Sequence, residues 1–218
     1  MFAYILEMYF VKVPFFYRLL LRKALFKLPK DVPTLYLTFD DGPNDELTIW
    51  LTNFLIKHNI EATFFCTGNS ILNNLSSFNT LINPLFSIGN HTFTHKNGWD
   101  TKTSDYLLDI TKCQDILENY AQKYFSRPLF RPPFGKLTLS QYYKLIPHYD
   151  IILWDVLSGD FDNNSDIEKC WKNITSNIKN GSIIVLHDQN HIKEKVKTIL
   201  IRIIETYQRD YIFRKLNY

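Results

Sequence analysis

The chain has no Cys-x-x-Cys pair, no apolar run of membrane-spanning length, and no internal repeat or low-complexity linker. Each absence removes a class. Cys66, Cys113 and Cys170 are odd in number and far apart, with no zinc-ribbon spacing, so buried reduced thiols are expected. Lys and Arg total 25 against 22 Asp and Glu, and the two signs are interspersed. A net charge of +3 is too balanced for a nucleic-acid footprint. Apolar residues make up 45% of the 218, enough to bury a substantial core.

The first thirty residues are aromatic and basic, but their apolar runs stop early: Val13 to Tyr17 ends at Arg18, and Leu19 to Leu21 at Arg22. A membrane span needs about 18 or more apolar residues, and a secretory signal about 7 to 15. Neither is present, which places the chain in the cytoplasm or on the cytoplasmic membrane face, with action on the cell envelope left open. Pro14 can start a helix in which Arg18, Arg22, Lys23 and Lys27 alternate with Phe15, Phe16, Leu19, Leu20 and Phe26. Two readings follow: a helix packed on the domain, or a peripheral membrane contact. The expected organisation is an N-terminal amphipathic segment, 1–30, and one catalytic domain, 31–218. Met8 offers an alternative start.

Short β-rich runs alternate with helical patterns over the rest of the chain. Strands are expected at Leu35–Phe39, Ala62–Cys66, Phe86–Gly89, Leu129–Arg131, Ile151–Trp154, Ile183–Leu186 and Tyr211–Phe213. Helices are expected at Asp45–His58, Thr103–Phe125, Leu139–Ile146, Ser165–Ile178 and Ile192–Tyr207. In the longest, Tyr106, Ile110, Cys113, Leu117 and Tyr120 recur at three-to-four spacing and predict one apolar face. Strand then helix, repeated, means a mostly parallel sheet with helices outside it.

Five polar clusters follow five of these strands: Asp40-Asp41, His91 with His95, Arg131, Asp160, and His187-Asp188. Parallel α/β folds build their sites at the C-terminal ends of strands, so the pattern puts all five on one rim. Two adjacent carboxylates ending a buried strand need positive charge beside them, which a divalent metal would supply. His91 and His95 are four apart, and a helical turn would put both imidazoles on one face. Two imidazoles and one carboxylate make a three-ligand site with room for water. His187 and His191 share that spacing, so spacing alone does not choose between the pairs. Arg131 can hold a carboxylate, and Asp160 can orient an imidazole or Arg131. His187, delivered by a buried strand, suits a general acid.

The segments TFDDGP (38–43), HTFTH (91–95), RPPFG (131–135), Asp160 with Phe161, and Leu186-His187 together resemble, in order, the five motifs of the polysaccharide deacetylase (NodB-homology) family. The resemblance implies an α/β fold, a distorted (β/α) barrel of seven or so parallel strands. It implies Asp40 as base, Asp41, His91 and His95 as metal ligands, Thr92 as orienting the loop, and His187 as general acid. Arg131 and Asp160 would tune the base and the acid. Phe134 would contribute its backbone amide to the oxyanion, and Trp154 and Leu186 would lie on the substrate side. One divalent ion is implied, zinc foremost, with cobalt or a similar ion as the alternative. The partner is an N-acetylated glycan, peptidoglycan- or chitin-like, that loses its acetyl group as acetate. O-acetyl ester hydrolysis and a catalytically silent carbohydrate-binding barrel are the alternatives. Phe134 replaces the usual Tyr, Phe161 the usual Trp, and Leu157 stands where an acid is common; all three changes fall on the substrate groove.

Overall fold

The computed structural model describes residues 10–121 and 127–216. Met8 and the expected end of the longest helix at Phe125 lie outside them.

Helix α1 (Phe15–Leu20) precedes β1 (Thr34–Asp40), α2 (Asp45–Lys57), β2 (Ala62–Cys66), α3 (Gly68–Asn73), α4 (Leu75–Leu81) and β3 (Phe86–Asn90). Then come α5 (Thr103–Ala121), β4 (Leu129–Phe130), α6 (Leu139–Leu145), β5 (Asp150–Ile151) and β6 (Val156–Leu157). The chain continues through α7 (Ile167–Thr175), β7 (Ile183–His187), α8 (Lys193–Tyr207) and β8 (Ile212–Phe213). The strands run in the order β5-β4-β3-β2-β1-β7-β6, every pairing parallel, with β8 beside the start of β1. This is the expected distorted (β/α) barrel, with eight strands among the described residues.

Side chains alternate across a strand, and that period sorts the core. In β1, Leu35, Leu37 and Phe39 pack outward against Leu47, Leu51 and Leu55 of α2 and Val196, Ile199 and Leu200 of α8. Tyr36, Thr38 and Asp40 therefore point into the barrel. In β7, Ile184 and Leu186 join the outer core, whereas Ile183, Val185 and His187 point inward. Tyr36, Phe65, Leu129, Ile152 and Ile183 close the floor of the interior, and Asp40 and His187 stand side by side at its top. All three cysteines are buried and free.

Strands β5 and β6 do not pair with each other; the N-terminal segment occupies the opening. Leu25 bridges Ile152 in parallel and Lys27 bridges Ser182 antiparallel, with Leu25 N–H to Ile151 O at 2.8 Å and Leu28 N–H to Gly181 O at 2.8 Å. Gly181 (φ +84°) lies so close to Leu28 and Pro29 that no side chain fits there. Val13, Leu21, Ala24 and Phe26 are buried with Phe130, Leu153 and Val185. Burying Val13, Leu21 and Phe26 stabilises by roughly 1.5–3 kcal/mol each, so residues 10–28 are bound to the barrel wall.

Three local readings are corrected. The strand expected at Ile151–Trp154 is cut short: β5 ends at Ile151, Ile152 bridges only Leu25, and a separate strand, β6, follows at Val156–Leu157 and pairs with β7, because this stretch crosses the opening in the barrel. Helices α3 and α4 are additional; at six and seven residues they are too short for a periodic apolar signal. Pro14 is the cap before α1 rather than its first residue.

Candidate active site

Strand β1 delivers Asp40 inward and then stops. Asp41 adopts φ 76°, turning its carboxylate back over the rim. Gly42 packs against the Asp188 carboxylate too closely to carry a Cβ. Below it, Asp188 accepts a hydrogen bond from Thr48 Oγ1, and its backbone carbonyl accepts from Asn44 Nδ2. Burial pushes the Asp188 carboxyl up to about 7.

The HTFTH segment forms no helical turn, contrary to the expectation. Its residues follow β3 as an irregular loop, with Thr92 at φ 65° and His95 at φ 56°. Left-handed backbone costs roughly 1–3 kcal/mol at each such residue. The Asp109 carboxylate, from the middle of α5, offsets this by accepting from Phe93 N–H, Thr94 N–H and Thr94 Oγ1 at 2.9, 2.9 and 3.0 Å. Hydrogen bonds to a charged acceptor stabilise by about 1.5–3 kcal/mol each, enough to hold the loop. Asn90 Oδ1 accepts from Thr92 N–H, and the Thr92 hydroxyl from Lys96 N–H.

The imidazoles converge all the same. His91 Nε2 and His95 Nε2 lie 3.3 and 3.0 Å from Asp41 Oδ1. His91 Nδ1 is 2.8 Å from the carbonyl of Arg131. A carbonyl only accepts, so Nδ1 carries a proton and Nε2 is the atom turned towards Asp41. Asp41 Oδ1 is buried and accepts no well-formed hydrogen bond, while Gln189 Nε2 donates to Oδ2 at 2.5 Å. Burial alone would raise the Asp41 carboxyl, but the facing imidazoles and the charge of His187 hold it well below the usual carboxylate range. One atom from each of Asp41, His91 and His95 lies within 4.8 Å of the other two. One carboxylate and two imidazoles around an orphaned oxygen fit a divalent ion such as zinc. Among the described residues this is the one such cluster.

Arg131 is fully buried. Its Nη1 donates to Asp40 Oδ1 and to Thr38 Oγ1, both at 2.7 Å. Its Nη2 reaches Leu153 O at 3.2 Å, and its guanidinium lies over the Phe65 ring. The other pair is His187 Nδ1 with Asp160 Oδ1 at 2.7 Å, while Asp160 Oδ2 accepts the His187 N–H at 2.8 Å. Burial lowers the His187 imidazole, but Asp160, with Asp41 and Asp40 nearby, outweighs it and raises the group to about 9. His187 therefore holds its proton at neutral pH.

These groups open on a cleft of about 600 Å³. Trp154 and Phe134 line it, and Phe134 (φ 58°) sets its ring edge-on to His95. Phe161 packs edge-on to His187, and Leu157 is also in the wall. Leu186, expected on the substrate side, is fully buried in the outer core; period-two alternation that points His187 inward must point Leu186 out. His191 is exposed, away from the cleft. A second pocket, lined by His58, Asn59, Glu61 and Arg214, sits at the opposite rim and gathers no such set.

Three participants were missed in the sequence. Thr38 shares the inward face of β1 with Asp40, so alternation could have found it. Asp109 lies inside a long helix, and Gln189 sits two residues past His187; neither carries a sequence signal.

The polysaccharide deacetylase family model matches residues 27–145, a span holding Asp40, Asp41, His91, His95 and Arg131. A peptidoglycan-N-acetylglucosamine deacetylase of Bacillus cereus is 30% identical over 74% of the chain, which spans 58% of that relative's length. A chitooligosaccharide deacetylase of Azorhizobium caulinodans is 30% identical over 74% of the chain and 77% of its own length. The crystal structure of the Bc1960 peptidoglycan N-acetylglucosamine deacetylase superposes with a TM-score of 0.79 at 25% identity, covering 94% of this chain and 95% of that one.

Proposed function

The chain belongs to the polysaccharide deacetylase family, and from that premise we propose that it removes the N-acetyl group from N-acetylglucosamine units of a peptidoglycan- or chitin-like glycan, releasing acetate. The catalytic domain is assigned to residues 31–218 and the N-terminal segment to 1–30, of which Phe10, Val13, Pro14, Phe16 and Tyr17 lend part of the cleft wall. The observation that carries the reading is the convergence of three groups on one cleft: the Asp41–His91–His95 cluster, the Arg131–Asp40 pair and the Asp160–His187 pair.

Asp41, His91 and His95 would hold the divalent ion, zinc being the one this donor set suits. When bound, such an ion acidifies a water and polarises the acetamide carbonyl. Asp40, fixed by Arg131 and unable to swing away, takes the proton of the attacking water. The Phe134 backbone N–H is the donor assigned to the developing oxyanion. His187 delivers its proton to the departing sugar amine, and Asp160 stabilises its charged form until then. Trp154, Leu157 and Phe161 give the glycan an apolar wall on which sugar faces can stack.

The test is acetate release from N-acetylglucosamine oligomers. Release should stop with chelator and return with zinc or cobalt. No return with any divalent ion, or turnover only of acetylated xylan, would overturn the proposal.

A further inference from the structure

Helix α1 is held at its ends and bare along its length. Val13 before it and Leu21 after it are buried, Tyr17 Oη donates to Gly135 O at 3.0 Å, and Arg18 pairs with Asp155 at 3.1 Å. These contacts fix one side. The other side presents Phe15, Phe16, Leu19 and Leu20, exposed at 81, 65, 52 and 50%. Four large apolar side chains on six residues form a contiguous face, and a face of this kind marks an interaction surface.

Two further observations identify what it meets. Residues 10–30 hold six basic side chains and no acidic one. Arg22 and Lys23, just past the helix, are exposed and form no ion pair among the described residues; only Arg18 of the six does. An apolar face with unpaired cations at its margin matches an anionic bilayer surface, where the apolar groups enter the acyl boundary and the cations meet the headgroups. The face is also continuous with the cleft, since Phe10, Pro14, Phe16 and Tyr17 line its mouth. No helix among the described residues is long and apolar enough to cross a membrane.

We propose that the exposed face of α1, with Arg22 and Lys23, docks on an anionic lipid bilayer and seats the cleft mouth beside the membrane. The docking stands independently of the deacetylase reading. Only its consequence, that the glycan reaching the cleft is attached to lipid or lies against the membrane, rests on that reading.

The experiment is co-sedimentation of the full chain with phosphatidylglycerol–phosphatidylcholine vesicles, against vesicles of phosphatidylcholine alone. The parent should pellet with the anionic vesicles and less so at raised salt. The triple variant Phe15→Ser, Leu19→Ser, Leu20→Ser should lose roughly tenfold or more in partitioning. Arg22→Glu with Lys23→Glu, at exposed side chains that form no ion pair among the described residues, should abolish the preference for anionic vesicles. Both variants should release acetate from soluble oligomers as the parent does, which separates docking from turnover. A parent that stays in the supernatant overturns the proposal, as do variants that bind like the parent. A dimer of the parent that the same substitutions dissociate also overturns it, by assigning the face to a second copy.

Discussion

Two segments of this protein read H-x-x-x-H, and their fates differ completely. His91 and His95 close on the carboxylate of Asp41, within 3.3 and 3.0 Å. His187 turns to Asp160 and His191 points to solvent. Identical spacing produces convergence in one place and divergence in the other because the backbones differ. After β3, left-handed residues at Thr92 and His95, pinned by Asp109, fold the loop over Asp41. After β7, the chain passes through Gln189 into a short 3₁₀ turn that carries His191 away. What gathers the three candidate ligands is a loop bent towards a waiting carboxylate.

The largest effect expected from disturbing this arrangement is that of Asp41→Asn. It removes the charge that gathers both imidazoles, so calorimetry with zinc should register no binding and acetate release should fall to background. His187→Ala should leave zinc binding intact and lower kcat by roughly 10²–10⁴-fold, the usual contribution of a general acid. Asp160→Asn acts on the same histidine through its charge. In the proposed mechanism the protonated imidazole is the working form, and Asp160 helps to hold its proton up to about pH 9. Without the Asp160 carboxylate the proton leaves at lower pH, so the alkaline limb of the kcat profile should move down by roughly 1–3 pH units. Gln189→Ala frees Asp41 Oδ2 and should weaken zinc affinity by about 10–100-fold, read by competition with a chromogenic chelator. The smallest change is that of His191→Ala. Zinc affinity and turnover should match the parent, with stability within about 0.5 kcal/mol in urea denaturation. A His191→Ala variant that lost metal would break the distinction between the two pairs.

The electrostatics divide along the same line. Arg131 and Asp40 form a buried pair whose other bonds are satisfied by Thr38 Oγ1 and the carbonyls of Ile152 and Leu153. Breaking such a pair from one side costs about 3–5 kcal/mol, because the remaining charge stays buried alone. At the opposite rim, Glu61 and Arg214 meet near the surface, where a pair is worth at most about 1 kcal/mol. The Arg131–Asp40 and Asp160–His187 pairs both stand at the end of the barrel that bears the cleft.

The sequence by itself determined the parallel α/β architecture, because strand and helix periods are local and β1, β2, β7 and α2 carry them clearly. It also determined that Asp40, Asp41, His91, Arg131, Asp160 and His187 follow strand ends, since a parallel sheet puts every such end on one rim. Tertiary structure decided the rest. Which face of β7 looks inward depends on its neighbours, and that choice put His187 in the cleft and Leu186 in the core. The closure of the barrel by residues 25–28 joins segments more than 120 positions apart, such as Leu25 and Ile152, which no local pattern encodes. The candidate metal cluster depends on a carboxylate, two imidazoles and a supporting Asp109 supplied by three separate elements. Their convergence is a property of packed distance, and spacing along the chain does not carry it.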